Sequence, residues 1–320
     1  MRFSLVTETY PPEVNGVALT VAHLAAGLRH IGSRVEIVRP SRPGEGARSD
    51  AVDELELRLP GAALPSYPGL RFGWPAGRLL RKRWSAQRPD AVYIATEGPL
   101  GWSALGAARS LGIPVASGFH TRFDYYLGRY GLGAGWLAFA WMRYFHNRAD
   151  VTLVPTHELA TTLPQQGFPR VVQLARTVDT HAFDPFYRDA GLRARWDVEE
   201  NDPVVIHVGR LAPEKNLWLA IRAFRRIQET QPMARFVLVG DGPERAALEA
   251  ANPDFIFTGT LQGRALAEHF ASADLFVFPS LSETFGNVTL EAMASGVPTV
   301  AFDYGAAREY LRDGLHGRAV

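Results

Sequence analysis

Between Phe278 and Ala292 the chain runs Phe-Pro-Ser-Leu-Ser-Glu-Thr-Phe-Gly-Asn-Val-Thr-Leu-Glu-Ala: a strand ending at Pro279, a polar loop, and a helix starting near Asn287. At such a start the backbone N–H groups of Gly286, Asn287, Val288 and Thr289 have no intrahelical partners and sit at the positive end of the helix dipole. That is a seat for a phosphate. Glu283, in the loop, could accept hydrogen bonds from sugar hydroxyls, and Glu291, one turn into the helix, from a ribose. Each acid alone is read equally well as a solvated loop residue or as an acid favoured in a first helical turn.

A second strand-to-helix turn, Val208-Gly209-Arg210-Leu211-Ala212-Pro213-Glu214-Lys215-Asn216, supplies the opposite charge. Gly209 permits close backbone approach, Arg210 offers a planar fork to phosphate oxygens, and Lys215 a mobile point charge. Taken singly these are ordinary solvated cations. Together with the helix start they could neutralise a diphosphate without a metal, and the sequence has no Asp-x-Asp pair. A third turn, Val239-Gly240-Asp241-Gly242-Pro243, suits a flat base lying against backbone, though such turns are common.

The elements that must position these turns follow from hydrophobic period. Short β-branched runs predict strands at Phe3–Val6, Val35–Val38, Ala91–Ala95, Val115–Gly118 and Thr152–Val154 in the first half. The second half offers Val204–Val208, Phe236–Val239, Phe255–Thr258, Leu275–Phe278 and Thr299–Ala301. Val17, Val21, Leu24, Ala25 and Leu28 fall on one face of a helix over 15–30, and Leu217, Ala220, Ile221, Phe224 and Ile227 mark another. Strands alternating with helices through short links close as parallel sheets covered on both faces. The fold class is therefore α/β with two doubly wound, Rossmann-like domains: 1–175 first, a linker over 176–202 punctuated by Pro185 and Pro203, and 203–320 as the second. Ligands bind such sheets outside the strands' carboxyl ends, so two domains are expected to face each other across a cleft.

Composition narrows the class. The 320 residues are 47% hydrophobic and 21% charged, as in a soluble globular protein, and a net charge of +1 gives no global field toward nucleic acid. No cysteine is present, which excludes disulfide and thiolate chemistry. No basic-plus-apolar leader opens the chain, and the most apolar stretch, Ala134 to Phe145, is interrupted by Arg143 and too short to span a bilayer. A cytoplasmic location is the expectation. Before the strand at 91, Arg78, Arg81, Lys82 and Arg83 surround Leu79, Leu80 and Trp84. Such a helix either rests on anionic lipid or is an ordinary solvated face with Leu80 and Trp84 in the core.

Taken together, the three turns, with Ala273-Asp274-Leu275-Phe276-Val277-Phe278-Pro279-Ser280, the acids Glu283 and Glu291 eight residues apart, and Gly296-Val297-Pro298, resemble the retaining glycosyltransferases of family 4, which have the GT-B fold. The likeness covers nearly the whole chain. It implies a nucleotide-sugar donor, UDP- or GDP-linked, as substrate, with no further cofactor. It places Glu283 on the transferred sugar, Glu291 on the ribose, Arg210 and Lys215 on the diphosphate, and the backbone at Leu261 on the base. In the first half, Glu8-Thr9-Tyr10-Pro11-Pro12-Glu13-Val14-Asn15-Gly16-Val17 is similar to the family's first strand–helix loop, whose glycine (here Gly16) meets the donor phosphate. His120, in Ser117-Gly118-Phe119-His120-Thr121, matches the active-site histidine near the anomeric carbon; a lone histidine would otherwise read as a satisfied core residue. Thr96-Glu97-Gly98-Pro99 with Phe119-His120-Thr121-Arg122-Phe123-Asp124 looks most like the lipid-directed branch, implying a glycerolipid or phosphoinositide-type acceptor and contact with the inner face of a membrane.

The resemblance implies transfer of a sugar such as mannose or glucose. Two positions depart from the pattern. Thr177 stands where the family usually has glycine before Val178-Asp179, so a different backbone or a stiffer hinge is expected. The sequence also stops after Gly314–Val320, where relatives continue, and lowered stability with some exposed apolar surface is the expectation for this chain. Rival readings are a nucleotide-sugar-binding protein without transferase activity, a nucleotide-sugar epimerase, and a dinucleotide-dependent oxidoreductase. Against the last, Thr7–Gly16 lacks the Gly-x-Gly-x-x-Gly fingerprint.

Overall fold

The computed structural model describes residues 1–13, 15–45, 55–63, 71–120 and 135–320. The chain folds as two compact units, Met1–Ala175 and Arg176–Val320.

The first unit is a parallel sheet of seven strands. In chain order these are β1 (Arg2–Val6), β2 (Arg34–Pro40), β3 (Glu56–Leu59), β6 (Ala91–Ile94), β7 (Val115–Gly118), β8 (Val151–Val154) and β9 (Val171–Gln173). A separate antiparallel pair, β4 (Gly61–Ala63) and β5 (Arg71–Gly73), precedes β6. The spatial order β3-β2-β1-β6-β7-β8-β9 reverses direction between β1 and β6, which makes their carboxyl ends the switch point. α1 (Gly16–His30) buries Ala18, Val21 and Ala25, and its core joins Leu5, Val35 and Ile37 on one face of the sheet. The other face carries α2 (Gly77–Ala86), α3 (Pro99–Ser110) and α4 (Gly135–His146), whose Leu80, Trp84, Leu100, Ala104 and Phe145 pack with Val6, Val38, Val92 and Ile94. α5 (His157–Gln165) lies between β8 and β9.

The second unit repeats the plan with β10 (Val204–Val208), β11 (Arg235–Val239), β12 (Ile256–Gly259), β13 (Leu275–Phe278), β14 (Thr299–Ala301) and β15 (Gly317–Ala319). Their order is β12-β11-β10-β13-β14-β15, all parallel, with the reversal between β10 and β13. Helices α6 (Ala190–Arg195), α7 (Leu217–Gln228), α8 (Arg245–Ala251), α9 (Gly263–Ala271), α10 (Asn287–Ala294) and α11 (Gly305–Tyr310) cover it. The strand β10 is buried at all five residues, which is why its run is apolar without alternation.

Several details differ from the sequence expectation. Residues 176–202, expected to be a linker, fall in the second unit: Asp189 caps α6, and Leu192, Trp196 and Val198 enter the core beside Val204 and Ile206. Thr177 takes no positive φ; among the described non-glycine residues only Asp197 and Asn216 do, so the missing glycine leaves no strain there. Leu80 and Trp84 of α2 are buried and Arg83 is paired with Glu36, so the apolar side of that helix serves the core. Val14, Thr121, Arg122, Phe123, Asp124 and Ala134 lie outside the described residues. Among the described residues no helix is long and apolar enough to cross a membrane.

Candidate active site

At the switch point of the second sheet, the loops leaving β10 and β13 come together. After β10 the chain passes Gly209 and Arg210 into a short 3-10 turn, Pro213–Lys215, and Asn216 adopts a left-handed conformation (φ 54°) before α7 begins. This turn fixes Lys215. Its ammonium is ion-paired with the Glu283 carboxylate from the β13 loop and stands 5.3 Å from the centre of the Phe278 ring. Glu283 is held in turn by Ser280, whose Oγ donates to Oε1 at 2.8 Å. The two loops are tied through backbone as well, Leu281 N–H donating to the Glu214 carbonyl at 2.7 Å, while Tyr304 Oη donates to the Ser280 carbonyl. Lys215 and Glu283 are both mostly buried, at 13% and 17% side-chain exposure, so their charges act at reduced screening. Arg210 is more open: its guanidinium lies 3.7 Å from Glu214 with 43% of the side chain exposed.

The start of α10 has the form expected of an anion seat. Gly286 precedes it at φ 89°, a left-handed conformation that glycine tolerates, and no side chain caps the helix. Thr289 N–H already bonds the Gly286 carbonyl at 3.0 Å, so, among the described residues, the N–H groups of Asn287 and Val288 are the open ones. A Cβ placed on Gly286 would lie 3.6 Å from Glu283 Cγ and 3.7 Å from Thr289 Oγ1, which sets the helix start directly beside the Lys215–Glu283 pair. Glu291 is set further along α10. Its carboxylate has no hydrogen-bonding or ionic partner among the described residues, and burial alone pushes its pKa up to about 7. Leu261 follows β12, half-buried against the second unit's core.

Three groups escaped the sequence reading. His207 sits in β10, fully buried, with its ring stacked on Phe278 at 5.8 Å and Nδ1 bonded to the Val277 carbonyl at 3.0 Å; its Nε2 has no partner among the described residues. Burial, and secondarily the charge of Lys215, push its pKa down to about 4, so the imidazole is neutral beneath the ammonium. The one signal available was a polar residue inside a valine-rich buried strand. Phe278, read as a strand residue, also faces Lys215. Arg176 is the third: its Nη1 donates to Asn287 Oδ1 at 3.3 Å and its guanidinium lies 5.6 Å from the Phe285 ring, putting another cation at the first residue of α10. Nothing in a boundary segment 111 residues away in sequence announces that contact.

In the first unit, the loop ends at β1, β6 and β7 carry a different chemistry. His120 Nε2 is 2.6 Å from Tyr93 Oη. Glu97 is bound to His146 Nε2 at 3.0 Å, whose Nδ1 reaches Ser117 Oγ at 2.8 Å, all three side chains being buried. Glu8 accepts from the Leu100 N–H at 3.1 Å, at the start of α3, and burial raises its pKa to about 7. Gly16 opens α1, where Asn15 Oδ1 accepts from Val17 and Ala18 N–H at 3.1 and 2.9 Å.

Comparison with known proteins decides the family. The profile described as Glycosyltransferase Family 4 matches residues 14–182, and that described as Glycosyl transferases group 1 matches 202–320. The chain belongs to glycosyltransferase family 4. Among its relatives is the GDP-mannose-dependent alpha-mannosyltransferase of Mycolicibacterium smegmatis, 38% identical over 97% of this chain and 82% of the relative. A GDP-mannose-dependent alpha-(1-6)-phosphatidylinositol dimannoside mannosyltransferase of Mycobacterium tuberculosis is 29% identical over 97% of this chain and 82% of that one. Sucrose-phosphate synthase from Thermosynechococcus elongatus has the same fold, with a TM-score of 0.73 at 17% identity, covering 96% of this chain and 82% of that one. This glycosyltransferase therefore has the GT-B architecture of two Rossmann-like units, and the clustered residues of its second switch point lie where that architecture puts ligand chemistry.

Proposed function

We propose that the enzyme transfers mannose from GDP-mannose to a hydroxyl of a lipid acceptor, with retention of configuration. The observation that carries this is the Lys215–Glu283 pair set against the uncapped start of α10. Breaking the anomeric bond builds negative charge on the β-phosphate. Lys215, Arg210 and the N–H groups of Asn287 and Val288 stabilise that charge, with Gly286 and Thr289 shaping the turn around it. Glu283, oriented by Lys215 and Ser280, accepts hydrogen bonds from the sugar hydroxyls. Glu291, half-buried and without a partner among the described residues, accepts them from the ribose. Gly209 and Gly16 admit backbone to the diphosphate, and the backbone at Leu261 meets the base. The acceptor hydroxyl attacks on the face that the diphosphate leaves, and a departing phosphate oxygen takes its proton; His120 orients the sugar and need not take a proton. The choice of GDP and mannose is supported by the GDP-mannose dependence of the similar mannosyltransferases, and that of a lipid acceptor by the phosphatidylinositol dimannoside relative. On this reading the enzyme works at the inner face of a membrane, and since protein cations and helix N–H groups carry the phosphate charge, activity survives chelation of divalent ions.

A thermal-shift panel of UDP- and GDP-sugars tests the donor, because binding raises the melting temperature with affinity and concentration. GDP-mannose is expected to give the largest shift, and labelled mannose to appear in lipid extracts with EDTA present. A larger shift with a UDP-sugar, with no consumption of GDP-mannose, would overturn the donor assignment.

A further inference from the structure

β6, the middle strand of the first sheet, carries a side chain that packing alone does not explain. Tyr93 is buried and shares a core with Leu5, Val21, Val35 and Ile37. Phenylalanine would fill that space equally well. The hydroxyl adds a polar group, which burial penalises unless it is bonded. Tyr93 Oη reaches His120 Nε2 at 2.6 Å, and the two rings meet edge to face with centres 6.2 Å apart and planes at 78°.

The neighbouring strand leaves room for this contact. Tyr93 stands opposite Ala116 of β7, and Gly118 falls on the same face of that strand. A Cβ on Gly118 would overlap both Tyr93 Oη and His120 Nε2. Gly118 takes no positive φ, so space and not backbone conformation calls for glycine there. The main chain leading to His120 is held by other contacts. Ser117 Oγ bonds His146 Nδ1 on the opposite face of β7, and Phe119 N–H donates to the Leu153 carbonyl at 2.9 Å. The Phe119 ring is fully buried against His146 and Phe168, at 5.3 and 5.8 Å. With the main chain fixed, the direction of the His120 ring is what is left to set, and a phenol rooted in the next strand sets it.

We infer that Tyr93 is a positioning residue for His120: its hydroxyl donates to Nε2, which holds the imidazole in one orientation and selects the tautomer with its hydrogen on Nδ1. The inference rests on the reading of His120 as the residue that orients the sugar. Which ring nitrogen bears the hydrogen decides where the imidazole offers a donor and where an acceptor, so a ring free to flip would meet the sugar hydroxyls with the wrong pattern in part of the molecules. His120 lies just beyond the end of β7, and Tyr93 gives it the rigidity of a central strand. Gly118 belongs to the same device, since it is the gap through which the two side chains meet.

The test is a double-mutant cycle on the full chain with Tyr93→Phe, His120→Ala and the two combined. The rate is GDP release from GDP-mannose in the presence of a total bacterial lipid extract, and the GDP dissociation constant is measured alongside. Tyr93→Phe is expected to lower kcat roughly tenfold, with KM for GDP-mannose and GDP affinity within about twofold of wild type. In the His120→Ala background the same substitution is expected to change kcat by less than about twofold, because its effect runs through the imidazole. Gly118→Ala, which parts the pair while both side chains stay in place, should match Tyr93→Phe. A near-wild-type kcat in Tyr93→Phe, or a tenfold loss that recurs when His120 is absent, would overturn the positioning role while leaving that of His120 standing. A loss that appears in KM and GDP affinity instead of kcat would reduce Tyr93 to a packing residue. Should His120→Ala turn over at the wild-type rate, the sugar role of His120 itself would fall, and the inference with it.

Discussion

The two sheets have the same plan but leave their helix starts in different states at the place where the plan reverses. At the switch point of the first unit the helix starts are already occupied by the chain's own side chains. Glu8 accepts from the start of α3, and Asn15 caps α1 with two hydrogen bonds. At the switch point of the second unit α10 starts with no side-chain cap, beside Lys215 and with Arg176 on its first residue. A filled helix start needs no ligand, whereas a bare one flanked by cations favours an anion. The same topology thus builds one end whose helix starts its own side chains fill and one whose helix start stays open to an anion.

The comparison breaks most visibly at Lys215. Lys215→Ala removes a preorganised positive donor and releases Glu283, and is expected to lower kcat by about 100- to 1000-fold, or roughly 3–4 kcal/mol. Steady-state rates with GDP-mannose check this, and a loss under threefold would leave the helix start as the whole of the anion site.

How much of this was readable beforehand varies with scale. β10, β13 and β14 have the bounds their apolar runs predict, because buried parallel strands advertise themselves by composition. β9 and β15 were missed: each has three residues, too few to show a period, and they exist by pairing with β8 and β14. β3 was missed although Leu57 and Leu59 alternate with Glu56 and Arg58, a pattern only four residues long. α6 could not be seen because six residues carry little periodicity, and an Asp cap plus burial of Leu192 hold it. Of the candidate site, the residue types and their turns were legible, but the pairing of Lys215 with Glu283, 68 residues apart, was not, since only the parallel neighbours β10 and β13 bring them together.

Glu291 sharpens the comparison through pH. Its pKa of about 7 lies above the ordinary carboxylate value, so its contribution to the stability of the free enzyme is present below about 4.5 and is lost as pH rises through about 7. If the ionised form accepts the ribose hydroxyls, donor affinity rises between pH 6 and 8, by up to about tenfold for each unit the donor shifts the pKa. Calorimetric titration with GDP should show that rise in the wild type and a flat profile in Glu291→Gln. A rise that persists in the variant would place the titrating group elsewhere.

The smallest effect on the reaction is expected from the first unit's acid. Glu8→Ala should cost about 1–2 kcal/mol in denaturant unfolding, as loss of a helix cap does, while GDP affinity stays within about twofold. A large loss of GDP affinity would mean that Glu8 acts in donor binding and does more than hold the start of α3.

The central claim is that cations and a bare helix start in the second unit grip a pyrophosphate. Comparing the dissociation constants of GDP and GMP, in wild type and Lys215→Ala, tests it directly. The account predicts that GDP binds the wild type about 100-fold or more tightly than GMP, two charge-assisted contacts' worth, and that the gap shrinks by at least tenfold in the variant. An undiminished gap in Lys215→Ala would contradict it.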